Sequence, residues 1–548
     1  LRENTKTYSG ADYKYHSSMR QNTKTYFGAD YKCHSSMRQN TKTYFGADLE
    51  MLLNMRQNEK IHSGAENTMN PTKFIGREEE LATFNELLKK KTSTLMVIKG
   101  RRRIGKTSLI EKFAEGKPFL RFVGLAPVDG VTAQSQRDEF ARLLAEQTDL
   151  PQIETDDWSQ LFALLGQFVK QGRHIILFDE ITWMAERDPT FLSKLKNAWE
   201  LYYKQNPQLI LVLCSSISAW VEEHILSSTG YFGRIAKKIT LKELPLRCCN
   251  DLLDAVGFKR SVHEKFMMLS LTGGVPWYIE LIEPKRSAFE NINELCFNED
   301  GILVDEHRYI FHDLFGKRSA VYEKITEYLA NGAAEYSAIA DGISYASSGT
   351  LTSYLSELIE SGYVRQTMSW SIKTGKPTKT ACYRLADNYL RFYYKYIQPK
   401  LDLIKNGQYK NIAIGSLPGM NSMLGFQFEA LVINNADLLH QILHLRPEEI
   451  TISSPYYQTA TKQRQGCQID YLIQTRLNTL FVCEIKFSSS PLTTKVIQEV
   501  EEKIKRMATP KNFTCVPILI HVNGVSDEVL DADYFYRIVD FADLLTTK

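Results

Sequence analysis

The sequence has no apolar run close to the roughly 18 residues that a helix needs to cross a bilayer. Its first residues also have no apolar segment of the kind found in signal peptides. Nine cysteines are scattered along the chain without the spacing of a zinc site or a disulfide framework. We therefore expect a cytoplasmic protein in a reducing compartment, with no membrane partner.

The chain also has little net charge. Its 67 basic and 64 acidic residues give a net charge of +3. Any contact with nucleic acid therefore requires a local basic patch, because the chain as a whole is nearly neutral. At 548 residues it exceeds the size of one hydrophobic core. We expect three or more domains.

A tandem repeat occupies the first part of the chain. NTKTYSGAD at residue 4, NTKTYFGAD at 22 and 40, and NEKIHSGAE at 58 recur with a period of 18. Each copy has few aliphatic residues, and the composition resembles disordered segments. We expect residues 1–68 to be a translated repeat or a consequence of a wrongly chosen start, with Met69 beginning the natural protein; an interaction tail is the alternative.

A phosphate-binding loop follows an apolar strand. Residues 94–113, TLMVIKGRRRIGKTSLIEKF, contain the pattern GxxxxGK[ST] from Gly100 to Thr107 and continue as an amphipathic helix. The backbone N–H groups of such a loop and helix start cradle phosphates, a lysine reaches the β and γ oxygens, and a hydroxyl binds Mg²⁺. The predicted nucleotide-binding residues are Gly100, Gly105, Lys106, Thr107 and Ser108.

Two further strands end in residues that suit hydrolysis of ATP. HIILFDEITWM, residues 174–184, ends its apolar run at Asp179 and Glu180, which are expected to hold Mg²⁺ and to polarise the attacking water. A kinase is less compatible with this acidic pair. LILVLC, residues 209–214, is followed by Ser215, a candidate sensor of the γ-phosphate. Arg234 in GYFGRIAKK is a candidate arginine finger, with an ordinary surface arginine as an equal alternative.

Together with FIGREEEL at 74–81 and TGGVPWYIE at 272–280, these segments resemble the archaeal-type ATPase group, which is related to AAA+ and STAND P-loop ATPases. The resemblance covers about residues 70–400. It implies that the base of the nucleotide is flanked by two segments, whose residues here are Phe74, Gly76, Arg77, Gly274 and Pro276. A serine pair stands where AAA+ proteins often have asparagine.

The middle of the chain is predicted to be helical. Residues 246–315 are expected to form a lid over the nucleotide, and residues 316–400 have the helix and strand order of a winged helix. The helix that would read DNA, residues 347–361, has no Lys or Arg but contains Glu357 and Glu360. A packing or relay role is therefore favoured over direct reading of bases.

The last segment contains a charged hairpin. QIDYLIQTRLNTLFVCEIKF, residues 468–487, would pair Asp470 with Glu484 if its turn is centred on Leu477, and Lys486 shares their face. Like charges so close require a positive partner, for which we predict a divalent cation. An ordinary charged hairpin face, offset by Lys486, is the alternative.

Asp followed fourteen residues later by Glu-x-Lys resembles the PD-(D/E)XK nuclease superfamily, although Ile469 stands where proline is common. The resemblance implies metal ligands Glu429, Asp470 and Glu484, catalytic Lys486 and the helix residue Gln498.

The expected fold is α/β: a P-loop NTPase parallel sheet over residues 69–245, a helical lid, a winged helix-turn-helix, and an α/β restriction-endonuclease-like domain over residues 401–548. The expected function is an ATPase that uses ATP and Mg²⁺ and controls a metal-dependent nuclease acting on DNA. The alternative is an ATP-dependent regulatory switch with an inactive nuclease-like domain. DNA and further copies of the same chain are the expected macromolecular partners.

Overall fold

The computed structural model describes residues 74–315, 318–346, 349–460, 462 and 465–547. The described residues all belong to one compact unit, residues 73–548. The repeat predicted over residues 1–68 lies outside the described residues.

The first sheet is parallel throughout, in the order β2-β3-β4-β1-β5. Its strands are β1 (Thr94–Lys99), β2 (Phe119–Val123), β3 (His174–Asp179), β4 (Leu209–Ser215) and β5 (Ile235–Thr240). The accompanying helices are α1 (Glu78–Leu88), α2 (Lys106–Ala114), α3 (Ala133–Gln147), α4 (Trp158–Phe168), α5 (Ile181–Ala185), α6 (Phe191–Leu201) and α7 (Ser218–Val221). This is the predicted α/β fold with a parallel sheet.

Both faces of this sheet are covered. Val97 packs in a core with Phe162, whereas the next residue, Ile98, packs in a second core with Phe113. Successive side chains of a strand point to opposite faces, so continuous apolar strands such as β1 are buried on both sides.

Helices follow, as predicted for residues 246–315. They are α8 (Leu246–Ala255), α9 (Val262–Thr272), α10 (Pro276–Glu280), α11 (Ala288–Cys296) and α12 (Ile302–Phe315). Ser261 caps α9, and Ser287 forms a capping box with Glu290 at α11; both satisfy backbone N–H groups that the first turn leaves unpaired.

The next elements have the predicted order of three helices and two long strands. They are α13 (Ser319–Ala330), β6 (Ala334–Glu335), α14 (Tyr336–Gly342), α15 (Gly349–Glu360), β7 (Val364–Ser371) and β8 (Lys376–Leu385), with sheet order β6-β8-β7. Glu360 of α15 lies 3.7 Å from Lys99 of β1, and the Ser369 hydroxyl of β7 donates to the Tyr457 carbonyl over 2.9 Å. This segment therefore contacts both larger sheets.

An aromatic stretch connects it to the last part of the chain. α16 (Asn388–Phe392) is followed by two short helical turns and α17 (Leu401–Lys405). Tyr389, Phe392 and Tyr396 are buried, so these rings pack within the protein and are not an exposed surface for stacking bases.

The C-terminal sheet is mixed, in the order β13-β12-β11-β10-β9. β9 (Ile450–Gln458), β10 (Cys467–Thr475) and β11 (Thr479–Lys486) pair antiparallel, whereas β11, β12 (Thr514–His521) and β13 (Arg537–Asp540) pair parallel. The helices here are α18 (Met420–Asn434), α19 (Ala436–Ile442), α20 (Lys495–Arg506), α21 (Asp527–Asp531) and α22 (Phe541–Thr546).

One hydrophobic core joins these later parts. It contains Leu252 of α8, Leu355 of α15, Phe428 of α18 and Ile520 of β12. The predicted boundaries near residues 315 and 400 therefore do not coincide with breaks in packing. Among the described residues, no helix is long and apolar enough to span a bilayer.

Candidate functional site

The phosphate loop lies at the carboxyl edge of the first sheet, between β1 and α2. Open α/β sheets bind ligands at this edge. Gly100 has φ of 155°, and a Cβ there would lie 2.4 Å from the Leu241 carbonyl oxygen. Gly105 has φ of 83°. Both glycines are thus required by backbone geometry as well as by the motif.

Lys106 is buried and folded back on its own loop. Its Nζ donates to the carbonyl oxygens of Gly100 and Arg101, each over 3.0 Å. α2 begins at Lys106 and includes Thr107 and Ser108, so its first N–H groups face the loop. Phosphate oxygens are natural replacements for the two carbonyls as partners of this ammonium group.

Thr107 and Asp179 form the predicted pair for Mg²⁺. The Thr107 hydroxyl donates to Asp179 Oδ2 over 2.9 Å, and Asp179 ends β3, two strands from β1 in the sheet. A hydroxyl and a carboxylate are ligands that Mg²⁺ prefers. Arg121 of β2, which the sequence analysis did not consider, lies 3.0 Å from the same carboxylate oxygen and bonds Glu111 over 2.8 Å.

Glu180 is hydrogen-bonded by Ser216, the residue that follows β4. Its φ of 50° lies in the left-handed region, and its Oε2 accepts from the N–H and hydroxyl of Ser216 over 3.0 and 2.9 Å. The predicted sensor Ser215 instead hydrogen-bonds Thr182 and accepts from the Ile217 N–H over 3.0 Å. Ser216, and not Ser215, therefore contacts the candidate catalytic carboxylate.

The two segments expected to flank the base both approach the phosphate loop. Arg77, with φ of 68°, donates to the carbonyls of Ile104 and Lys242 over 3.2 and 2.6 Å. Burial lowers the pKa of Arg77, an effect partly offset by Glu80. The Pro276 ring lies 4.0 Å from the position of a Cβ on Gly105. Phe74 and Gly76 precede Arg77, and Gly274 lies two residues before Pro276.

Arg101 forms a buried ion-pair network that was not predicted from the sequence. Its guanidinium donates to Glu243 over 2.7 Å, forms an ion pair with Asp387 and lies 4.8 Å from the ring centroid of Tyr363. Desolvation alone would lower the pKa of Arg101, but Asp387 and the other groups raise it well above its ordinary value. Burial raises the pKa of Glu243.

Arg234 lies at the opposite edge of the sheet from the phosphate loop. It directly precedes β5, whose first residue, Ile235, pairs with Leu95 near the start of β1. The loop follows the other end of β1, about 15 Å along the strands. Arg234 bonds Glu200 over 2.5 Å. An arginine finger acting within this subunit is therefore not formed.

The hairpin has the predicted register. Tyr471 pairs with Cys483 and Gln474 with Leu480, so Asp470 falls opposite Glu484. The positive partner between them is lysine: Lys503 Nζ lies 3.5 Å from Asp470 Oδ1 and 2.5 Å from Glu484 Oε2. Lys486 Nζ lies 3.1 Å from Glu484 Oε1. In this structure lysine occupies the place that the sequence analysis gave to a metal ion.

Of the other predicted members, Glu429 lies near this pair: in addition to burial, its charge raises the pKa of Asp470, and the Glu484 charge raises the pKa of Glu429. Glu429 lies 3.6 Å from Arg384, and Gln498 is exposed on α20, whereas Glu499 of that helix lies 3.0 Å from Lys486. In the part of the chain that is described, no group of three or more His, Cys, Asp or Glu side chains is arranged to hold a metal. Burial, followed by the Glu484 charge, raises the pKa of Asp470 to about 7.

A comparison with protein families matches residues 74–282 to an ATPase domain found predominantly in Archaea. This segment, which includes the first sheet, is therefore similar to an archaeal-type ATPase domain. An uncharacterized protein of Methanocaldococcus jannaschii, MJECL04, is 28% identical over 359 residues, which are 65% of this chain and 75% of that protein. An uncharacterized ATP-binding protein of the same organism, MJ0423, is 42% identical over 48 residues, 9% of this chain and 81% of that protein.

Solved structures resemble the chain more distantly. The Walker-type ATPase PABY2304 of Pyrococcus abyssi is 18% identical with a TM-score of 0.45, covering 60% of this chain and 98% of that one. The ORC2 protein of Aeropyrum pernix is 16% identical with a TM-score of 0.38, covering 62% and 96%. Matches at this level assign no function to the chain.

Proposed function

We propose that this chain binds and hydrolyses ATP with Mg²⁺ and that the nucleotide state controls a C-terminal nuclease-like domain that acts on DNA. The observation that carries the ATPase part is the 2.9 Å hydrogen bond between Thr107 and Asp179, beside a lysine already inside the phosphate loop. These two oxygens come from separate elements and meet where Mg²⁺ is needed.

Each residue has a role in this proposal. Lys106 leaves the loop carbonyls for the β and γ oxygens, Thr107 and Asp179 hold the cation, and Glu180 polarises the attacking water. Bound Mg²⁺ neutralises charge that develops on the phosphates. Arg121 would release Asp179 and keep its hydrogen bond to Glu111 when the cation binds, because Asp179 Oδ2 now accepts from the guanidinium.

The ATPase part is tested by ATP binding to the full chain. Lys106→Ala should weaken the affinity at least a hundredfold, because the loop loses its only lysine. Lys112→Ala, on the same helix but half-buried and paired with Glu115 at 2.7 Å, should stay within twofold of the wild type. Isothermal titration calorimetry with Mg²⁺ and ATP measures both. Equal affinities for the two variants would contradict the assignment.

For the C-terminal sheet we propose the fold of the PD-(D/E)XK nucleases, with residues 316–400 as a winged helix that relays the state of the ATPase. The acids Asp470 and Glu484 converge with Lys486 on one face, which supports a site for phosphodiester cleavage. Metal binding by Asp470, Glu484 and Glu429 then requires Lys503 and Arg384 to move. The ammonium group of Lys503 specifically favours the second candidate, a regulatory switch whose nuclease-like domain is inactive.

Cleavage of DNA separates the two candidates. The full chain is incubated with linear, circular and single-stranded DNA, with Mg²⁺ or Mn²⁺, with and without ATP. A nuclease should lose cleavage in both Asp470→Ala and Glu484→Ala and keep it in Glu501→Ala, a half-buried acid of α20 paired with Lys505 at 3.6 Å. No cleavage by a protein that hydrolyses ATP would support the switch.

A further inference from the structure

We propose that Asp387 is a positioning residue for the phosphate loop and acts through Arg101. The inference rests on the proposed ATPase function and extends it to a residue outside the archaeal-type ATPase domain matched at residues 74–282.

The main chain of Arg101 is part of the phosphate loop, whereas its side chain contacts carboxylates outside the loop. Its carbonyl oxygen accepts from Lys106 Nζ over 3.0 Å, so the position of this backbone decides where the ammonium group rests. Its guanidinium, 4% exposed, points away from the loop to Glu243 and Asp387. A displacement of either carboxylate therefore moves the residue that anchors Lys106.

The two carboxylates are fixed by different elements. Glu243, between β5 and α8, accepts from the Gly274 N–H over 3.3 Å. Asp387 is 1% exposed and caps α16, accepting from the Leu390 N–H over 2.6 Å. It lies two residues after β8 ends at Leu385. The Arg101 side chain thus connects the loop directly to the end of the three-stranded sheet.

The ion pairs that Arg101 forms with Glu243 and Asp387 depend on each other. A buried guanidinium left without one of its carboxylates has no water to replace it, so the three charges keep or lose their positions together. Arg101 is suited to this role because its planar group holds several N–H donors in a fixed arrangement and can pair with two carboxylates at once. The nucleotide affinity should therefore depend on a side chain that touches neither the phosphates nor the base.

Asp387→Asn tests this dependence, because asparagine also caps helices but removes the charge. Asp157→Asn is the matched control: Asp157 caps α4, accepting from the Ser159 N–H, and lies 2.9 Å from Lys194, away from the loop. In the full chain, Asp387→Asn should raise the Kd for ATP at least fivefold, with Asp157→Asn within twofold of the wild type. A loss of thermal stability in Asp387→Asn without any change in Kd would overturn the proposal.

A double mutant separates positioning from general damage. In an Arg101→Gln background, Asp387→Asn should change the Kd less than twofold, because the group it acts through is gone; an undiminished fivefold effect would overturn the proposal. Glu243→Gln provides the same test if Asp387→Asn does not fold. A wild-type chain that binds no ATP would refute the proposed function itself, whereas normal binding by both charge variants would refute only this inference.

Discussion

Lys106 is held by carbonyl oxygens of the loop that contains it. A triphosphate offers the same ammonium group charged acceptors, which form stronger hydrogen bonds than carbonyls do. Binding therefore exchanges two hydrogen bonds for better ones, and the buried lysine does not have to be brought in from solvent. The same residue was identified from the sequence because its motif is local, with strand, loop and helix in consecutive positions.

His307 predicts a pH dependence of stability. Burial lowers its pKa to about 4, below the ordinary value of about 6.5, and its ring stacks on Tyr393 at 4.1 Å. Between these values the unfolded chain binds the proton more strongly, so the free energy of unfolding falls as the pH drops through this window. From pH 7 to pH 5 the loss due to this group is about 2 kcal/mol.

Denaturant unfolding at pH 7 and pH 5 measures this loss. His307→Gln should reduce the difference between the two pH values by about 2 kcal/mol, whereas His224→Gln, at an exposed position, should leave it unchanged. An unchanged difference in His307→Gln would show that the folded protein keeps this imidazole accessible to protons.

Other single residues could not be predicted because their partners are distant in sequence. Nothing in the pattern around Arg101 indicates Asp387, and the pairing exists only once β8 and α16 have packed beside the loop. Lys503 was missed for a different reason. α20 contains several lysines among acids, and which of them faces Glu484 depends on the rotation of the helix in its final packing.

At the scale of elements, hairpin register was the most predictable feature. The turn between β10 and β11 centres on Leu477, as the sequence analysis assumed, and this centre sets Tyr471 opposite Cys483 and Asp470 opposite Glu484. For α15 the sequence could only exclude a role: a helix with Glu357 and Glu360 and no basic residue is poorly suited to bind DNA. Its contact with Lys99 could not be predicted, because the two residues meet only in the folded protein.

The parallel pairing of β1 and β5 places Arg234 at the far edge of the first sheet. We predict that Arg234→Ala leaves the ATP hydrolysis rate of the dilute monomer within twofold of the wild type. A rate that rises with protein concentration in the wild type, and not in Arg234→Ala, would indicate action on a neighbouring copy. Hydrolysis measured across a dilution series tests this. A fivefold loss in the dilute monomer would contradict the register argument.

Packing between elements also changes the interpretation of the helical lid. Phe266 of α9 stacks on Phe487 with ring centroids 5.3 Å apart, and the Leu246 N–H of α8 donates to Asn435 over 3.0 Å. The helices predicted to cover the nucleotide are thus packed against the C-terminal segment. Motion of these helices on binding ATP would be transmitted there directly.

At the scale of the whole molecule, the sequence analysis anticipated separate domains, but residues 73–548 form one unit. Composition and periodicity identify each set of elements, yet they do not reveal whether neighbouring sets share a core. The core that includes Leu252, Leu355 and Ile520 explains the difference. Shared packing of this kind makes a nucleotide-dependent change hard to confine to the ATPase sheet.

The central claim, that this site hydrolyses ATP with Glu180 as the residue that activates water, is tested most directly by Glu180→Gln. The variant keeps the shape of the side chain but loses its charge. Binding and single-turnover hydrolysis of ATP are measured on the same full-length preparation with Mg²⁺. The account predicts an ATP affinity within about threefold of the wild type and a hydrolysis rate at least a hundredfold lower. Hydrolysis at the wild-type rate would contradict it.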